Sequence, residues 1–423
     1  MGSDRRCRVF HRLIASACAT TLLLGAMWSQ DAAGYAPVVG PDAFGVNIQG
    51  LVASYGSTLP ASQISALLAA ISSSGLTTVR VDALWYAAEP SAPSLTGAHT
   101  YDWTDFDQLA TTLAEHHLRW QPLFNETPPW AAQHAGTGPN WCLDSPPSAA
   151  HLTDFAAFAQ AFAARYGPAG SFWAANPQLP YEPVVRYEVW NEENTGSIVC
   201  PDGTSLTFPA YLYAQMYALT RTDIHSVDPQ ATVIVGGLVD NPGWNANNYT
   251  SLMLESDPAL QGNVDGWGIH PYYHNGYTEP PSTAFYQEPI DDVVAFRKGL
   301  DSEGAPASEP IYITEIGWTT SGSGIYPAVC DNPNSQPSGC AANRQVGLVT
   351  TSDQLMRSNC NVANYMVHTW YTSEADPNNE EDWFGLTNSD ATLMPSANSW
   401  VAEVQLLYGD GSQPPPSGTV ALC

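Results

Sequence analysis

Two short stretches carry the side chains best placed for chemistry. In Tyr187-Glu188-Val189-Trp190-Asn191-Glu192-Glu193-Asn194 a run of β-formers (Val184, Val185, Tyr187, Val189) breaks off in a polar cluster. Asn191 and Glu192 therefore belong where a strand gives way to a loop. Ile311-Tyr312-Ile313-Thr314-Glu315-Ile316-Gly317-Trp318 repeats the design, with Glu315 at the end of β-branched and aromatic residues and a glycine two positions later. Two glutamates at two strand ends can serve as an acid and a nucleophile. Cleaving a glycosidic bond needs that division of labour, a proton for the leaving oxygen and an attacking group at the anomeric carbon. Glu188 lies two residues deeper on the face of Glu192, and is expected to be an interior carboxylate paired with Arg80. Glu89, Glu126 and Glu193 read as loop carboxylates that can line a binding subsite.

The elements that must position these glutamates follow from periodicity. Strands are expected at Phe44–Ile48, Thr77–Val81, Arg119–Phe124, Val184–Trp190, Ala231–Gly237, Gly266–His270, Ile311–Glu315 and Tyr365–Trp370. Helical spacing separates them over Leu59–Ile71, at Phe106, Leu109 and Leu113, and at Leu152, Phe155, Phe158, Phe162 and Tyr166 up to Gly167. It returns at Leu212, Met216 and Leu219, at Val293, Phe296 and Leu300, over Gln345–Leu355 and over Ser396–Leu407. The weakest signals are the short, glycine-rich sixth strand and the helix before it. Alternating strands and helices of this kind predict an α/β fold, a (β/α)8 TIM barrel forming one catalytic domain over residues 37–408. Both glutamates then sit at the strand C-termini, with long loops after strands three, four, seven and eight at the same end. A doubly wound sheet is the alternative, and no Gly-x-Gly-x-x-Gly follows any strand to support a dinucleotide version of it.

At this point the motifs resemble a known group. Trp190-Asn191-Glu192 on the fourth strand, with Thr314-Glu315-Ile316-Gly317-Trp318 on the seventh, resembles the clan A (4/7 superfamily) retaining glycoside hydrolases, family 39 or family 5 like. The resemblance implies Glu192 as acid/base, Glu315 as nucleophile and Asn191 as the residue gripping the sugar 2-hydroxyl. It also implies an O-glycosidase acting by double displacement on β-linked oligo- or polysaccharide. Arg80, ending strand two, matches the arginine such enzymes place beside the nucleophile; His270-Pro271-Tyr272 resembles their His-x-Tyr element, whose tyrosine donates to the nucleophile. Many relatives have proline after the acid/base glutamate, where this chain has Glu193. Trp370, with Trp85, Trp130 and Trp318 near other strand ends, is expected to form an aromatic floor for sugar rings, Trp370 next to the bond cleaved. A non-catalytic carbohydrate-binding barrel and a transglycosylase are the rival readings.

No cofactor is called for. His270 and His274, or His116 and His117, lack a third ligand at suitable sequence spacing, and no Gly-x-Ser-x-Gly elbow is present. The chain has 41 acidic against 13 basic residues, a formal charge of −28, and Lys298 as its single lysine. No basic patch exists to neutralise phosphates, so nucleic acid is excluded as a partner. Residues 1–36, with Arg5, Arg6, Arg8 and Arg12 ahead of an uncharged apolar run and small residues, read as a signal peptide. The expected product is a secreted, extracellular monomer with no membrane segment after signal removal, its residues 409–423 a Pro/Gly/Ser-rich tail. Cys7 and Cys18 leave with the leader, and the expected disulfides are Cys142 to Cys200, Cys330 to Cys340 and, by elimination, Cys360 to Cys423.

Overall fold

The computed structural model describes residues 39–48, 61–138, 140–196, 198–240, 243–274, 281–320, 329, 331, 343–372, 376, 378–388, 391–409 and 418–423. The signal-peptide segment and the Cys330 to Cys340 pairing lie outside these residues.

Eight parallel strands close on themselves: β1 (Phe44–Asn47), β2 (Thr78–Leu84), β3 (Arg119–Asn125), β4 (Arg186–Asn191), β5 (Thr232–Val239), β6 (Gly266–His270), β7 (Ile311–Ile316) and β8 (Val362–Val367). Each is followed by a crossover helix: α1 (Ala61–Ser73), α2 (Thr104–Glu115), α3 (Leu152–Tyr166), α4 (Ala210–Val227), α5 (Ala246–Ser256), α6 (Pro281–Ser302), α7 (Arg344–Met356) and α8 (Pro395–Tyr408). The neighbours in the barrel are the neighbours in sequence, with β8 returning to β1. This is the (β/α)8 barrel the alternation predicts.

The helical stripe of α3 shows how the wall is built. Phe155, Phe158, Phe162 and Tyr166 are spaced to share one face and all are fully buried. Phe162 meets Trp120 and Phe124 of β3 at centroid distances of 5.0 and 5.1 Å in edge-to-face geometry. Such aromatic pairs are worth about 1 kcal/mol each beyond the area they remove from water. Gly167 closes the helix and its amide bonds back to Ala163 O.

The barrel interior is polar. Arg80 of β2, Gln121 of β3, Glu188 of β4 and Asn364 of β8 are buried there and joined in one chain: Asn364 Nδ2 donates to Gln121 Oε1 (3.2 Å), Gln121 Nε2 to Glu188 Oε2 (3.5 Å), and Arg80 grips Glu188 with both Nε and Nη2. The expected Arg80–Glu188 pair is present, at 2.6 Å.

Three details of the sequence reading are made definite here. The weakly signalled helix is α5, whose polar stretch is started by Asn245 capping the Asn248 amide. Strand β8 ends at Val367, three residues before Trp370, where the chain bends at His368. The last residues do not hang free: Asn359 N donates to Val420 O, and Cys423 is disulfide-bonded to Cys360. The other described disulfide, Cys142–Cys200, ties the short hairpin after β3 (Gly136–Thr137 with Asn140–Trp141) to the one after β4 (Ile198–Val199 with Ser205–Leu206). Both pairings match the expectation.

Candidate active site

At the C-terminal ends of the strands the first structural fact is a backbone one. Trp190 and Glu192 adopt φ of +72° and +51°, the left-handed region that side chains avoid. The conformation is held by bonds around it: Glu192 N donates to Gly237 O (3.1 Å), while the amide and hydroxyl of Thr195 both donate to Glu192 O. Asn194 locks the next residues by exchanging two bonds with the backbone of Val239. Positions forced in this way carry about 1–3 kcal/mol of strain and collect where a side chain must be aimed.

What they aim is the Glu192 carboxylate, whose Oε1 lies 2.9 Å from His270 Nδ1. His270, at the end of β6, is buried and has its Nε2 at 2.9 Å from Thr314 Oγ1 on β7. Gly237 makes the ring's place: a Cβ there would overlap the imidazole.

Glu315 lies one residue from the end of β7, buried, with contacts from β2, from the end of β6 and from the residue after β8. Arg80 Nη1 donates to Oε1 at 2.6 Å and Tyr272 OH to Oε2 at 2.7 Å. His270 Nδ1 and His368 Nδ1 each stand 3.8 Å from Oε2. Burial alone would push this carboxyl up. The charges of His270, Arg80 and His368 and the Tyr272 hydroxyl reverse that and hold it well below the usual carboxylate range. Arg80 meanwhile donates Nη2 to Asn191 Oδ1 (2.8 Å) and Nη1 to Asn47 Oδ1 (3.1 Å), so one guanidinium fixes β1, β2, β4 and β7 together.

One oxygen each of Glu192 and Glu315, with a ring nitrogen of His270, lie within 4.8 Å of one another. A metal ion can use such a spacing, and His270 thereby has the two partners that sequence spacing did not offer. Here, however, both oxygens of Glu315 already accept from Arg80 and Tyr272, so a cation would compete with a guanidinium. In a second group of that kind, His134, Cys200 and Asp202, the Cys200 sulfur is committed to a disulfide.

Beside Glu192 opens a cleft of about 220 Å³, lined by Asn125, Glu126, Asp144, Asn191, Thr195 and Val199 among others. Burial, then the Asp144 and Asp82 charges, push the Glu126 carboxyl up to about 8. Asp82, on β2 below, is pushed to about 6 by burial against the pull of Arg80.

Of the residues singled out from sequence, Glu192, Glu315, Asn191, Arg80, His270 and Tyr272 are thus brought into one contact network. Three of the four tryptophans are buried, while Trp130 is half-buried with Nε1 on Glu89 O. Trp85 is enclosed by Trp130, Phe155 and Phe158 with Nε1 on Glu89 Oε2, and Trp318 is buried with Nε1 on Phe285 O. Trp370 has no exposed surface, and its Nε1 meets no acceptor among the described residues. Fully enclosed rings offer no free face for a sugar to stack on in this conformation. Sequence reasoning missed His368 and Asn47. His368 could have been found from its place two residues before Trp370 on the eighth strand end; Asn47, at the end of the first strand, stands directly across from Arg80 in register.

No family model matches the chain, and no curated protein matches it. Solved structures do. The GH39 enzyme from Xanthomonas axonopodis pv. citri superposes with a TM-score of 0.59 at 19% identity, over 88% of this chain and 68% of that one. A family 39 glycoside hydrolase from the gut symbiont Bacteroides cellulosilyticus WH2 gives 0.57 at 18%, over 87% of this chain and 64% of its own. The exo-β-1,4-mannosidase Op5Man5 from Opitutaceae bacterium strain TAV5 gives 0.54 at 16%, over 91% and 63%. This chain spans about two thirds of the length of these neighbours. At such identities the shared property is the barrel fold.

Proposed function

We propose that the chain is a glycoside hydrolase that cleaves β-linked O-glycosidic bonds with retention, Glu315 attacking the anomeric carbon while Glu192 protonates the leaving oxygen. The observation that carries this reading is the separation of the two carboxylates, with one oxygen of each within 4.8 Å. Carboxyl groups in retaining enzymes lie about 5–5.5 Å apart, whereas inverting enzymes need about 6.5–9.5 Å to admit a water. Electrostatics point the same way: Glu315 is the carboxylate surrounded by cationic and hydroxyl donors, which suits a nucleophile that must be ionised at the start. Glu192 sits on the looser, partly exposed side, against the cleft, where a leaving group can depart and a water can enter. Asn191, oriented by Arg80, is set beside both as the contact for the sugar hydroxyl next to the anomeric centre. The similarity to structures described as family 39 enzymes and an exo-mannosidase supports a carbohydrate substrate. The leader-like N-terminus supports secretion, and we take the working form to be a monomer.

The test is covalent trapping. Incubation with 2-deoxy-2-fluoro β-glycosides carrying a 2,4-dinitrophenyl leaving group should give a glycosyl adduct on the peptide containing Glu315, and Glu315→Gln should give none. Turnover of 2,4-dinitrophenyl β-glycosides with release of the inverted anomer would sink the assignment. Binding of the sugars with no turnover by the wild type would favour a non-catalytic barrel.

A further inference from the structure

Among the described residues, one buried ionisable group left without work by this scheme stands directly against the nucleophile. His368, just past β8, is 6% exposed and lies edge-on to Phe384 (5.2 Å) and Tyr272 (6.3 Å). Its Nε2 is 3.1 Å from Glu381 Oε2, on a one-turn helix (Glu380–Trp383) that is open to solvent. Its Nδ1 points at Glu315 Oε2 from 3.8 Å and makes no hydrogen bond among the described residues. Its backbone is tied to β7, His368 N donating to Ile316 O (2.9 Å), and its carbonyl packs on Gly317, where a Cβ would overlap it.

A cation beside a nucleophilic carboxylate acts oppositely on the two halves of a double displacement. Forming the ester removes the charge on Glu315, which the cation resists; breaking the ester restores the charge, which the cation favours. Arg80 binds Oε1. His368 and Tyr272 stand at Oε2.

We propose that His368, braced by Glu381, is a positioning residue for the second half-reaction, acting through Glu315 to stabilise the carboxylate as the glycosyl-enzyme is hydrolysed. The proposal rests on the retaining reading above. In that step a water oxygen bonds to the anomeric carbon, the carbon–oxygen bond to Glu315 breaks with its electron pair remaining on Glu315, and the water proton passes to the Glu192 carboxylate. Nothing is oxidised or reduced. The groups facing His368 are Glu315 from β7, Glu381 from the one-turn helix, Arg80 from β2, and Tyr272 and His270 from the end of β6. Burial opposes charging of the imidazole, but Glu315 and Glu381 outweigh it and hold the proton above the ordinary histidine range, against a smaller opposing effect of Arg80.

The experiment uses steady-state kinetics on 2,4-dinitrophenyl β-glycosides, whose leaving group makes ester hydrolysis the slow step. His368→Asn should lower kcat by roughly ten- to a hundredfold and KM by at least as much, leave kcat/KM unchanged or raised, and raise the fraction of enzyme carrying the sugar adduct in the steady state. Glu381→Gln, a solvent-side change that leaves the imidazole in place, should move the alkaline limb of the kcat profile to lower pH while the limb of kcat/KM stays. A fall in kcat/KM at unchanged KM, or pH limbs that do not move, overturns the proposal. If the wild type forms no Glu315 adduct and turns over no glycoside, it is the retaining reading that has failed, and this proposal falls with it.

Discussion

Glu193 offers a sharp test of the electrostatics behind the site. The carboxyl is 2% exposed, and neither oxygen has a hydrogen-bond partner among the described residues. It packs against the bare backbone of Gly236, where a Cβ would collide with Oε2. The adjacent Tyr213 hydroxyl gives its hydrogen to Val189 O (2.7 Å) and receives one from Gly236 N (2.8 Å). Burial, against the pull of its own amide and of Tyr213, pushes Glu193 from 4.5 up to about 8. The folded protein therefore keeps a proton there that the unfolded chain loses near 4.5. A raised carboxyl contributes stability that is fully present below the unfolded value and is lost as pH rises towards the folded one. At 1.36 kcal/mol per unit, the span from 4.5 to about 8 amounts to about 5 kcal/mol. Glu193→Gln keeps the shape and cannot ionise. Measured by urea unfolding at steps from pH 5 to 9, its stability relative to wild type should climb with pH by several kcal/mol, most of it before pH 8. Asp82, Glu126 and Asp292 are also pushed up, to about 6, 8 and 9, but they occur in both proteins and cancel in the difference. A difference that stays level across this range, within about 1 kcal/mol, would refute the reasoning.

Other outcomes follow from the same geometry. Arg80→Met leaves Glu188 and Glu315 buried without their cation and should cost about 3–5 kcal/mol in thermal or urea unfolding, with the acid limb of activity moving to higher pH as Glu315 becomes easier to protonate. Tyr272→Phe removes a single donor to Glu315 Oε2 and should lower kcat by about tenfold with the fold unchanged, as judged by circular dichroism. Replacing Cys142 and Cys200 by serine opens a loop of sequence separation 58, worth about 4 kcal/mol on chain entropy, so the melting temperature should fall and become insensitive to reductant at this pair. Gly237→Ala should displace the His270 ring and impair activity more than stability, readable as a fall in kcat/KM with a small shift in melting temperature.

The barrel could be read from the chain because its strands advertise themselves: β-branched runs such as Thr232–Val239 leave little else to be, and an aromatic stripe such as that of α3 has one solution on a sheet. Glu192 and Glu315 were equally visible, since each stands where a strand pattern stops. The tryptophans were not, because an indole near a strand end looks the same in sequence whether it faces the mouth or, like Trp85, plugs the gap between strand and helix. His368 was within reach as a residue of the expected eighth strand end, but its proximity to Glu315 depends on the bend after Val367, which residue types do not specify. Glu193 was read as a loop carboxylate, whereas the tight path that follows Glu192 carries it inward beneath the strand ends.

Arg80 has every guanidinium nitrogen committed, to Glu188, Glu315, Asn47 and Asn191, and all of these partners belong to the barrel strands themselves. Glu315 and Asn191 are thus moored from within the barrel. The hairpins at the rim, formed by Gly136–Thr137 with Asn140–Trp141 and by Ile198–Val199 with Ser205–Leu206, are fastened to each other through Cys142–Cys200. For a protein engineer, the stapled hairpins are a pair to be exchanged together, since Val199 of one lines the cleft beside Glu192 while the Arg80 contacts to Glu315 and Asn191 lie on the strands below.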